Sequence, residues 1–292
     1  MDETKINRKE KARRGLTVYF ALLVAGSAFF EWKILRTGES IAKLPGLVFA
    51  LMYVPAIASI GARLVMREGF GDVSFRLGKR EGMRSMLLAW IYPVVVGLLA
   101  YGVAWAASFA KFQPPLPPQS HLYVNSAAVN FLESLSLMAT FGTLVSGLSA
   151  FGEELGWRGY MLTRLILAGV PRPVLLSGLI WAFWHVPLIL SGQYAAGARP
   201  EVSAILFVIG VVADAYLAAY LRLRSGSVWP AVVLHAASNA VIQGTFDRAT
   251  VGGAWAVGES GVLTVSVSII FVLVATRGPW KLYRRPSEPL LL

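Results

Sequence analysis

The sequence predicts an all-α protein, a polytopic integral membrane bundle of about eight transmembrane helices with both termini in the cytoplasm. Three observations carry this reading. The 292 residues are 56% hydrophobic and 15% charged, and the mean hydropathy is +0.60, well above the range of soluble domains. The apolar residues fall in runs near the length that crosses a hydrocarbon core, and the basic residues cluster in the short segments between them.

The elements follow in order. A tail carrying Lys5, Arg8, Lys9, Lys11, Arg13 and Arg14 precedes the run from Leu16 to Phe30. That pattern also fits a signal peptide, but the run continues through Phe29 and Phe30, so it is read as a retained span. Further runs lie at Leu44 to Met66, Met86 to Ala110, Ala127 to Phe151, Val174 to Leu190, Val202 to Leu221, Val228 to Gln243 and Gly261 to Thr276. Pro114, Pro115, Pro117 and Pro118 make the third connection a stiff external segment. No internal repeat or second domain is evident. The expected organisation is a basic tail over 1–15, one transmembrane domain over 16–276 with its core at about 127–244, and a cytoplasmic tail over 277–292.

Charge orients the bundle. One set of loops holds Arg67, Arg76, Lys79, Arg80, Arg84, Arg158, Arg164, Arg172, Arg222 and Arg224, joined by Arg277, Lys281, Arg284 and Arg285 in the tail. The other set holds Lys33, Arg36, Lys43, Lys111, Arg199 and Arg248. The excess marks the first set as cytoplasmic and explains the net charge of +11 without a nucleic-acid partner. The chain has no cysteine, which removes disulfides, thiolate metal sites and a cysteine nucleophile.

The chemistry-bearing residues are few. Glu153 and Glu154 follow the fourth run, and Arg158 lies where a continuing helix would pair it with Glu154, leaving Glu153 free on another face. The plainer reading is a charged cluster that ends a span. His185 lies about 16 Å along the fifth run, inside the membrane. His235 and Asn239 share one face of the seventh, where two hydrogen-bond donors can converge as an oxyanion requires. For both, polar contacts that hold helices together are the plainer reading. Asp214 is a further intramembrane acid, expected to meet Arg222 or a polar group on a neighbouring helix, and His121 receives no role. Taken together, the carboxylates, Arg158, both histidines and Asn239 come from three spans and can activate water at an acyl bond, plausibly a peptide.

These residues resemble the CAAX protease and bacteriocin-processing (CPBP, Abi) family of intramembrane endopeptidases. Glu153, Glu154 and Arg158 match its Glu-Glu-x-x-x-Arg motif. Trp181 and His185 match an aromatic residue four before a histidine, although phenylalanine is commoner at the first position. His235 and Asn239 match His-x-x-x-Asn, and the likeness covers about 127–244. The resemblance implies Glu153 as general base, His185 assisting it, His235 and Asn239 holding the oxyanion, and Glu154 with Arg158 positioning Glu153 and the cavity wall.

The expected protein is therefore a glutamate-type intramembrane endopeptidase of the cell membrane, acting on membrane-associated or prenylated peptide substrates. No cofactor is expected. Zinc remains an alternative, since two histidines and a glutamate are a known ligand set, but no His-Glu-x-x-His segment is present. A non-catalytic immunity or peptide-binding protein using the same cavity is the alternative from another class, and a proton-coupled transporter ranks last.

Overall fold

The computed structural model describes residues 3–114 and 126–276. Pro115, Pro117, Pro118, His121, Arg277, Lys281, Arg284 and Arg285 lie outside the described residues, as does the Lys5 side chain.

Each long apolar run folds as a helix, because in hydrocarbon the backbone must satisfy its own polar groups. We label them α1 (Glu3–Leu35), α2 (Pro45–Met66), α3 (Lys79–Ala106), α4 (Ala127–Leu167), α5 (Pro173–Leu190) and α6 (Pro200–Ser225). Next comes α7, α-helical over Trp229–Ser238 and π-helical over Asn239–Asp247, and then α8 (Val262–Ala275). By length and composition α1 to α6 can cross a membrane, and α8 is a shorter apolar helix. The chain is a multi-pass membrane protein with an all-α fold. Its sole departure among the described residues is a two-residue antiparallel pair, Lys111–Phe112 against Thr250–Val251.

α1 is part of the bundle: Leu16, Tyr19 and Leu23 are buried in one cluster with Trp157, Tyr160 and Met161 of α4 and with Trp181 of α5. α4 carries the acid pair, and here the structure corrects the sequence reading. The fourth run does not end at Phe151, and Arg158 is not in a loop. α4 continues without a break to Leu167, and Arg158 is 1% exposed. Two features allow polar residues to stay inside. The charges are neutralised and hydrogen-bonded where they stand, and Gly152 and Gly156 let α2 approach. A Cβ at Gly156 would stand 2.5 Å from the Pro55 carbonyl carbon, and one at Gly152 would stand 2.9 Å from the Met52 oxygen. Small residues four apart permit such backbone contact between membrane helices. Because Pro55 lies midway along α2, the acid pair sits near mid-depth of the bundle rather than at its edge.

The basic end is held by buried ion pairs. Arg63 pairs with Asp72 and donates to the Gly69 and Gly159 carbonyls. Arg164 reaches Asp72 and Glu68, each at 2.8 Å, and Arg222 donates to the Asp72 carbonyl at 2.6 Å. Burial pushes the Asp72 carboxyl up, but the hydrogen bonds and charges of Arg63 and Arg164 outweigh it and hold it below its ordinary value. The α2–α3 connection is thereby fastened to α4 and α6. At the opposite end Gln193 donates to the Ile34 carbonyl at 3.0 Å and the Glu39 carbonyl at 2.7 Å, tying the α5–α6 loop to the end of α1.

Candidate active site

Three helices bring the singled-out residues together: α4 supplies Glu153, Glu154 and Arg158, α5 supplies His185, and α7 supplies His235 and Asn239. Two of them change winding there. α4 turns π-helical over Trp157–Met161, directly after the acid pair, and α7 does so from Asn239 onward. A π turn re-aims side chains without ending a helix, and such turns concentrate at functional sites.

The two glutamates have separate partners. Arg158 Nη1 donates to Glu154 Oε1 at 2.7 Å, the pairing that helical spacing predicts, and the ring of His235 approaches the same oxygen with Nδ1 at 3.1 Å. Since a carboxylate oxygen accepts, that Nδ1 carries the hydrogen. Glu154 is fully buried, and its Oε2 and the Nη2 of Arg158 lack partners among the described residues. Glu153 is not left free as expected. Its Oε2 accepts the indole N–H of Trp181 at 2.8 Å and that of Trp157 at 3.0 Å. Its Oε1 has no hydrogen-bond partner among the described residues, and Glu153 is 1% exposed and does not line the cavity that Glu154 and the two histidines share.

Trp181 ties the rest together. Its ring lies 4.2 Å from the Arg158 guanidinium carbon and 5.4 Å from the His235 ring, and its carbonyl accepts from His185 Nδ1 at 2.8 Å. A carbonyl can only accept, so His185 presents Nε2 as its free nitrogen. Trp184, Tyr194 and Phe207 surround that imidazole with rings at 4.9, 5.8 and 5.1 Å.

Glu154, His185, His235 and Asn239 line one cavity of about 60 Å³, room for water beside a reacting group. Asp214 and Glu259 also line it. Asp214 meets a polar group on a neighbouring helix, accepting the hydroxyl hydrogen of Tyr92 from α3 rather than pairing with Arg222. Glu259 escaped the sequence reading because it lies in a glycine-rich loop, and only the folding of that loop back against the bundle brings it, half-buried, to the cavity wall. Burial pushes its carboxyl up to about 7 against the hydrogen bonds of Tyr194 and Gln243. Trp157 was overlooked as well, although an indole one turn after Glu153 is legible in the sequence.

A zinc ion here would need three protein ligands converging on one point. Among the described residues no group of three or more His, Cys, Asp or Glu side chains is placed to hold a metal ion. Both Nδ1 atoms and Glu153 Oε2 are engaged by protein partners, which leaves Nε2 of each histidine and Glu153 Oε1 open, and among the described residues these do not form a three-ligand group.

A search of curated proteins finds no match. The model of one family, described as "Type II CAAX prenyl endopeptidase Rce1-like", matches residues 135–241. That stretch contains Glu153, Glu154, Arg158, His185, His235 and Asn239, and over it the chain is similar to the CAAX prenyl endopeptidases that the model describes.

Proposed function

We propose that this protein is an intramembrane endopeptidase that hydrolyses a peptide bond of a membrane-associated substrate, of prenylated CAAX type or another lipid-embedded peptide, with water activated by Glu153. The basic end faces the cytoplasm in this reading, in keeping with the positive-inside rule. The observation that carries the mechanism is the asymmetry of Glu153. With Oε2 held by two indole N–H groups, Oε1 has a fixed direction and no competing protein partner. A carboxylate so placed accepts the proton of an attacking water, and the free Nε2 of His185 accepts from the same water to orient it.

The oxyanion falls to α7. His235 donates Nδ1–H to Glu154, so for Nε2 to donate as well the ring must carry both protons. The Glu154 carboxylate, steadied by Arg158 at 2.7 Å, supplies the negative charge beside an imidazolium. Asn239, one turn further along the same cavity wall, adds an amide donor. Glu154 and Arg158 thus act as positioning residues. No step uses a metal.

The experiment is cleavage of lipidated peptides, followed by mass spectrometry, by the purified full chain and its Glu153→Gln and Glu154→Gln variants. Loss of general-base catalysis is worth about 10²- to 10⁴-fold. Glu153→Gln is expected to fall by that much while eluting as a folded species. Full activity in folded Glu153→Gln overturns the assignment, and activity lost in Glu154→Gln alone transfers the base to Glu154.

A further inference from the structure

A second cavity, also of about 60 Å³, adjoins the reaction cavity on the side of α3, α6 and α8, and the mechanism uses none of its polar groups. The two share Phe207, Val211, Asp214, Ser238 and Glu259, so a group in one reaches the other. In the second, the polar side chains present oxygen alone: the carboxylates of Asp214 and Glu259 and the hydroxyls of Tyr92, Ser238, Thr264 and Ser268. Thr264 is 7% exposed, and its hydroxyl has no hydrogen-bond partner among the described residues.

Charge makes the chamber unusual. Asp214 and Glu259 accept from neutral donors, the Tyr92 hydroxyl and the Gln243 amide. The nearby guanidinium of Arg158 and the His235 ring are both committed to Glu154, at 2.7 and 3.1 Å. Two carboxylates in a low-dielectric interior favour one positive charge between them. An all-oxygen wall suits a hard cation or an ammonium, and nothing in it selects a soft metal.

We propose that this chamber is a cation subsite that takes one positive charge, supplied either by a sodium ion or by the side-chain ammonium of a substrate lysine entering from the reaction cavity. The lysine source rests on the endopeptidase reading, whereas the sodium source does not. In the lysine case the chamber sets specificity for a basic residue near the scissile bond. In the sodium case it fastens α3, α6 and α8 together beside the reaction cavity.

Two measurements on the purified full chain separate the sources, each repeated on Asp214→Asn and Thr264→Val. The first is thermal unfolding in sodium chloride against choline chloride at equal ionic strength. Sodium at about ten times its Kd raises the wild-type midpoint by roughly 2–3 °C, and the rise disappears in both variants. The second compares binding, by fluorescence polarisation, of a labelled lipidated peptide carrying lysine with its norleucine twin, scanned along the sequence. A lysine source gives at least about a tenfold preference at one position, which collapses in Asp214→Asn. Binding needs no turnover, so it reads the chamber even if Glu153→Gln shows that the cleavage mechanism is wrong. Sodium stabilisation alone assigns the ion, and lysine preference alone assigns the substrate. A chain indifferent to both, or variants that keep either response, overturns the subsite.

Discussion

Replacing Trp181 by phenylalanine removes one N–H from Glu153 while keeping a ring over Arg158 and beside His235, and so isolates a single hydrogen bond. In the native protein Glu153 Oε2 receives the Trp181 indole at 2.8 Å and the Trp157 indole at 3.0 Å, both buried. A hydrogen bond to a charged group is worth about 1.5–3 kcal/mol. Because Trp157 still holds the oxygen after the change, the lower figure applies to Trp181→Phe. It corresponds to about a tenfold fall in kcat if the bond aims Oε1 at the water. The assay is steady-state cleavage of a fluorogenic lipidated peptide by wild type, Trp157→Phe, Trp181→Phe and the double variant. The single changes are expected to lower kcat with KM within about twofold, since neither indole is assigned a substrate contact. In the double variant Oε2 loses both donors, and the loss should exceed the sum of the single losses by about 1 kcal/mol or more. If both single variants keep kcat within twofold, or if the whole effect lies in the unfolding temperature, the indoles are packing residues and the aimed-carboxylate argument fails.

Other outcomes rest on the same geometry. Gly156→Ala sets a methyl group 2.5 Å from the Pro55 carbonyl carbon; overpacking of this kind costs about 1–3 kcal/mol, seen as a lower unfolding midpoint, and an unchanged midpoint would show that α2 and α4 are loosely joined. Asp72, whose carboxyl is held below its ordinary value once Arg63 and Arg164 outweigh burial, adds stability that is full above the unfolded carboxyl's value of about 3.9 and fades as pH falls through the lower folded value. Asp72→Asn should therefore be less stable at neutral pH and lose less on acidification, and parallel pH curves for the two proteins would count against it. Glu259 works in the opposite sense: with its carboxyl raised by burial to about 7, the folded state holds a proton that the unfolded chain releases near 4.5, so stability declines as pH rises between those values. Glu259→Gln should flatten that decline, measured by unfolding across the same range. Activity should survive dialysis against EDTA, and one zinc per chain lost together with activity would reverse the metal-free proposal.

Much of the protein was legible in its residue order because a membrane imposes strong local rules. Apolar runs must be helices, since hydrocarbon offers the backbone no other partner. The Glu154–Arg158 pair and the shared face of His235 and Asn239 are also local, fixed by helical spacing. Charge counting grouped the basic loops, but it placed Arg158 among them because a carboxylate pair after an apolar run looks like the end of a span. Whether such a pair leaves the membrane depends on its partners, and those come from elsewhere: Trp181 from α5, His235 from α7, and the backbone of α2 pressed against Gly152 and Gly156.

The residue order by itself determined that this chain is a helical membrane protein and singled out polar side chains that the fold gathers from α4, α5 and α7, because hydrophobic length and helical period act over a single segment. The tertiary structure alone decided that the acid pair lies at mid-depth, that two indoles hold Glu153 by one oxygen, and that Glu259 folds in beside Asp214. Each of these depends on which helices touch, and contacts between segments distant in the chain leave no mark on the periodicity of either one.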